Sequence, residues 1–176
     1  PGTLTLGGVA STFTGGLTIQ AGTVSAGDNN NTFGANGNVI TLGHSSGSAD
    51  ATLYVSPSNG RTFPQSITVA AGSTGALSII TDYVSTGAAG FSGAVTVNND
   101  VILSKVGAST GNMTFTGGFS TGDGTGRDIT IKNDGSPASG GLIVLSTTAV
   151  NNAGAIINNG FGTAGVTISA DIGSSV

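Results

Sequence analysis

One pattern recurs along the chain: an aliphatic residue, a threonine, an aliphatic residue. It stands at Leu4-Thr5-Leu6, Leu17-Thr18-Ile19, Ile40-Thr41-Leu42 and Ile67-Thr68-Val69. It returns at Val95-Thr96-Val97, Met113-Thr114-Phe115, Ile129-Thr130-Ile131 and Val166-Thr167-Ile168, with variants at Leu53-Tyr54-Val55, Leu77-Ser78-Ile79 and Leu142-Ile143-Val144. Successive side chains of a strand point to opposite faces. The aliphatics of each triplet therefore share one face and the threonine takes the other. Each triplet predicts a short strand with one buried and one wet face.

A second landmark keeps similar time. Phe13-Thr14-Gly15-Gly16 returns as Phe91-Ser92-Gly93-Ala94 and as Phe115-Thr116-Gly117-Gly118. The spacing predicts that these aromatics stack in the core beside a glycine corner, where positive φ costs little. Turn clusters separate the strands: 27–31, 56–60, 123–126 and Asn133-Asp134-Gly135-Ser136-Pro137.

An antiparallel sandwich and a parallel solenoid both accommodate many short strands. The sandwich favours tight two-residue hairpins. Here most linkers are longer and the same strand chemistry repeats, which suits coils stacked in register with like residues over like. The reading is an all-β parallel β-helix, one β-solenoid domain over residues 1–176. At roughly 20–25 residues per coil it predicts about seven to nine coils, and at about 4.8 Å per coil a rod on the order of 35–40 Å long. No capping segment is evident at either end, so the ends are expected to be uncapped. Leu4 and Leu6 at one end, and Ile168 and Ile172 at the other, are the expected assembly residues. The expected partners are copies of the chain stacked end to end, or covalently adjacent repeats.

Composition narrows the function classes. Gly accounts for 32 of 176 residues and charged residues for 7%. All eight acidic residues are Asp. Helix formers such as Glu, Lys and Arg are nearly absent, which argues against helices. With 37% hydrophobic residues and a net charge of −4, the chain can bury a core rather than remain disordered. Four basic residues cannot neutralise a phosphate backbone, so nucleic acid is not an expected partner. No apolar run is long enough to span a bilayer as a helix. Cysteine is absent, which removes disulfides and thiolate metal sites.

Candidate chemistry is sparse. Gly43-His44-Ser45-Ser46-Gly47 fits the nucleophile-elbow pattern, but a strand rather than a helix is expected after it, at Ala51 to Val55. His44 is also the only histidine, and a triad needs a separate general base. Gly124-Thr125-Gly126-Arg127-Asp128 partly matches a calcium-binding repeat. Asp123 and Asp128 are therefore the calcium candidates, since that ion takes oxygen ligands; no other cofactor is expected. Eight aspartates are available for a glycosidase pair, yet most sit in turns that Asp itself stabilises. The expectation is a protein without enzymatic activity. The asparagine clusters at 29–31, 98–99, 151–152 and 158–159 flank strands, and are expected to hydrogen-bond up and down the coil axis.

Residues 2–24 contain Gly2-Thr3-Leu4-Thr5-Leu6, then Phe13-Thr14-Gly15-Gly16, then Ala21-Gly22-Thr23-Val24. This order resembles the autotransporter-associated β-strand repeat. Residues 90–103 and 113–121 resemble it more loosely, and 166–173 looks like the segment that often precedes a further repeat. The resemblance implies a right-handed parallel β-helix in a large exported protein, secreted or at the cell surface, with no catalytic residues to carry over. A structural role as fibre, stalk or surface layer is the first expectation. An adhesin that binds a host or surface ligand through its loops is the alternative.

Overall fold

In the computed structural model, residues 1–7, 9–83, 87–108, 110–135 and 140–176 are described. Ser136 and Pro137 of the last turn cluster lie outside them. The regular structure is all strand, numbered in chain order and arranged in three parallel sheets.

Sheet A stacks β1 (Thr3–Leu6), β3 (Gly22–Ala26), β5 (Ala51–Val55), β8 (Leu77–Tyr83), β11 (Val101–Gly107), β14 (Ile129–Asn133) and β17 (Ile156–Asn158). Sheet B stacks β2 (Leu17–Ile19), β4 (Val39–Leu42), β7 (Ser66–Val69), β10 (Val95–Val97), β13 (Phe119–Ser120) and β16 (Val150–Asn151). Sheet C stacks β6 (Arg61–Phe63), β9 (Ala89–Phe91), β12 (Met113–Phe115), β15 (Ile143–Leu145) and β18 (Val166–Ile168). The chain visits A, then C, then B, and each strand pairs with the strand one turn away. This is the parallel β-solenoid that the repeated triplets predict.

The register places like over like. Thr18, Thr41, Thr68 and Thr96 are successive Cα partners on sheet B. Ile40, Ile67 and Val95 stack on the same strands and point inward, each at 0–1% exposure. On sheet A the inward column runs Val24, Leu53, Ile79, Leu103, Ile131. One apolar core runs the length of the stack.

Three expectations need correction. The first is the coil count. The sheet A column steps from Val24 to Leu53, Ile79, Leu103, Ile131 and Asn158, so each of these turns uses 24–29 residues. About five turns have all three sides formed, the last closed by a bridge between Val150 and Ile172. Seven to nine coils assumed shorter turns; the corners between sheets consume the difference.

The second is the phase of one triplet. At 142–144 the inward residues are Ile143 and, beyond the triplet, Leu145, while Val144 faces out. Register with Met113 and Phe115 sets that phase.

The third is the aromatic column. Phe91 and Phe115 do stack, with ring centroids 4.7 Å apart and planes 13° from parallel. The column continues from Phe91 to Phe63 and Phe33, at 5.7 and 5.3 Å, rather than to Phe13. Phe13 belongs to the first turn and is 37% exposed. A glycine corner stands beside the stacked rings, and Gly118 there has a positive φ of 78°, but at Gly93 and Gly117 the requirement is room rather than φ. A Cβ on Gly93 would collide with the Gln65 carbonyl one turn away, and one on Gly117 would collide with that of Gly93. Only glycine permits that backbone approach.

Candidate functional site

Among the described residues no single cleft gathers His, Cys, Asp or Glu side chains into a group of three or more. Instead, polar side chains at the corners bridge one turn to the next. At the corner entering sheet A, Asp50, Asp100 and Asp128 each precede a strand. The Asp50 carboxylate accepts a hydrogen bond from the Ala76 N–H at 2.8 Å. Asp100 accepts from the Asp128 N–H at 2.9 Å, and Asp128 accepts from the Ala155 N–H at 2.8 Å. These carboxylates satisfy backbone donors that leave the sheet ladder at the corner.

The asparagines work along the same axis. Asn98 Oδ1 accepts from the Gly122 N–H at 3.0 Å, and Asn112 Oδ1 from the Leu142 N–H at 2.9 Å. Asn99 Nδ2 donates to the Ala70 carbonyl at 3.2 Å. Buried Asn152 donates through Nδ2 to the Arg127 carbonyl at 2.8 Å. Asn30 Oδ1 accepts from the Thr62 N–H and Asn151 Oδ1 from the Ser175 N–H, both at 3.1 Å. The expected axial bonding is present at these asparagines, but it runs from side chain to backbone of the neighbouring turn. Two arginines repeat one arrangement: Arg61 Nε donates to the Asp28 carbonyl and Arg127 Nε to the Asn98 carbonyl, each at 2.7 Å.

The calcium candidates sit apart in function. Asp123 Oδ1 accepts from the Thr125 hydroxyl at 2.8 Å and from its N–H at 3.1 Å. Its Oδ2 lies 3.6 Å from the Arg127 guanidinium. Those hydrogen bonds from Thr125 hold the Asp123 carboxyl below its usual range. Asp128 serves the corner ladder described above. Among the described residues no group of three or more His, Cys, Asp or Glu side chains is placed to share a metal ion.

The elbow-like motif is a turn. His44 Nδ1 accepts from the Ser46 N–H at 3.0 Å. The Ser45 carbonyl packs on Gly72, where a Cβ would collide with it. The chain then enters β5, not a helix.

The four assembly residues lie at opposite ends of the stack. Leu4, on the edge strand β1, is 55% exposed, and Leu6 packs partly on the core. At the other end Ile168 packs partly on the core and Ile172 is 57% exposed. Sequence reasoning passed over Phe161, 82% exposed near that end; it lies between triplets, where the strand pattern gives no signal.

The first turn carries the family evidence. Residues 1–26 match the family model of the passenger-associated transport repeat. The matched segment contains β1, β2 and β3, and its two sheet A strands pair from Thr3–Thr23 to Leu6–Ala26. Fold and repeat together fit an autotransporter passenger-type structural module. No curated protein and no solved structure matches the chain. Among the described residues, no helix is long and apolar enough to cross a membrane.

Proposed function

We propose that this chain is a non-enzymatic, right-handed β-solenoid rod that serves as a structural element of an exported passenger, outside the cell or at its surface. One observation carries the reading. Asp50, Asp100 and Asp128 each tie one turn to the next, and sheet A stacks without interruption from β1 to β17, sheet B from β2 to β16 and sheet C from β6 to β18. The passenger-associated transport repeat at residues 1–26 supports export. Strands β1 and β17 have an open edge in this chain. An open edge invites another strand, and we assign that place to further coils, continuing in the same chain or supplied by a second copy head to tail.

Electron microscopy across a concentration series tests the assembly claim. Rods that lengthen with concentration are expected. Short particles of one length that adhere to a surface ligand through their loops would overturn it in favour of the adhesin.

A further inference from the structure

One inward column of sheet A is polar. Ala26 and Val55 begin it, and Thr81, Lys105 and Asn133 continue it, each the Cα partner of the next. All three polar members are buried: Thr81 and Lys105 are 0% exposed and Asn133 is 2% exposed. Lys105 is the only buried cation among the described residues. Removing an ammonium from water costs several kcal/mol before compensation, and Lys105 is one of only four basic residues in the chain.

The neighbourhood supplies the parts of an acyl transfer. Burial pushes the Lys105 amine below the ordinary lysine range, while the Asp82 carboxylate acts in the opposite sense. A desolvated lysine holds more of the unprotonated, nucleophilic form. Asn133 is fixed opposite. Its Nδ2 donates to the Gly141 carbonyl at 3.1 Å and to the Gly165 carbonyl at 2.9 Å. Its Oδ1 accepts from the Gly135 N–H at 3.4 Å, a donor placed where charge would develop on the carbonyl oxygen. Paired strands lie about 4.8 Å apart, within the span of a lysine side chain.

We propose that Lys105 and Asn133 form an intramolecular isopeptide bond that joins β11 to β14, one turn to the next. The Lys105 Nζ attacks the Asn133 Cγ. The Nζ–Cγ bond forms and the Cγ–Nδ2 bond breaks. Nδ2 leaves as ammonia, carrying the proton that Nζ gives up. No oxidant or other reactant is consumed. The product amide keeps one N–H to donate to the Gly141 or Gly165 carbonyl. In a chain without cysteine, the bond would pin two turns covalently where a disulfide has no means to do so.

Denaturing intact-mass measurement with peptide mapping of the folded 176-residue protein is the test. The expected mass is one ammonia below that of the sequence, and the map contains a branched peptide joining the segments around 105 and 133. Lys105→Arg restores the sequence mass. A wild-type protein at its sequence mass would overturn the proposal. So would an ammonia loss that maps to ring closure at an Asn-Gly pair such as Asn159-Gly160, with no branched peptide. Should Lys105→Arg fail to fold, the wild-type peptide map still decides, through the presence or absence of the branched peptide.

Discussion

Asp28 shows how single residues hold neighbouring turns together. Its carboxylate accepts from both the hydroxyl and the backbone N–H of Ser58, thirty residues on. The Ser58 hydroxyl bond is the main reason its carboxyl lies below the usual 3.8. A carboxyl depressed in the folded state binds its proton more readily when unfolded. Its stabilisation is therefore complete above the unfolded value and is lost as pH falls through the folded one. In thermal melts between about pH 5 and pH 2, wild type is expected to lose its advantage over Asp28→Asn as the pH falls. Parallel curves for the two proteins would deny Asp28 this role. That Asp and Asn in the turns would serve turns was legible from composition. Which turn each one reaches was not, because the partners are backbone groups 24 or more residues away and backbone leaves no sequence signature.

At the scale of elements, the Thr-centred triplets marked strands reliably, since two aliphatics and a threonine alternate as the pleat requires. Strands lacking that signature escaped notice. β9 has Gly90 at the outward place that Thr114 fills on β12, and β13 and β16 are two residues each. These strands exist because the turns on either side dictate their register, not because their own residues demand it. The aromatic column belongs to this scale as well. Its sequence signal was a Phe with glycine two residues on, which found Phe91 and Phe115. It missed Phe33 and Phe63, which have different neighbours but the same place in the turn. Phe91 sits between two ring partners and is 1% exposed. Replacing it with alanine leaves a cavity that rigid stacked coils cannot close, and is expected to destabilise by about 3–5 kcal/mol. The same change at exposed Phe13 is expected to cost under about 1 kcal/mol. Denaturant titration of both variants checks the contrast, and equal losses would mean that the column does not hold sheet C.

Across the whole molecule, stability follows from repetition. Each turn touches chiefly the turns above and below it, so the energetics approach those of a one-dimensional stack. This explains why the sequence made the architecture legible while its length estimate ran high. The strand chemistry repeats, but the corners vary freely in length and no pattern reports how many residues they use. The central claim is the in-register parallel stack, and the absence of cysteine makes it accessible to spin labelling at introduced cysteine pairs. Thr18, Thr96, Ser120 and Asn151 occupy one outward column of sheet B. Dipolar distances from Thr18 to Thr96, to Ser120 and to Asn151 should rise in even steps of about 4.8 Å, from about 14 to about 24 Å between backbones. Distances that fail to rise in that order, as strands divided between the two sheets of an antiparallel sandwich would give, would contradict the solenoid.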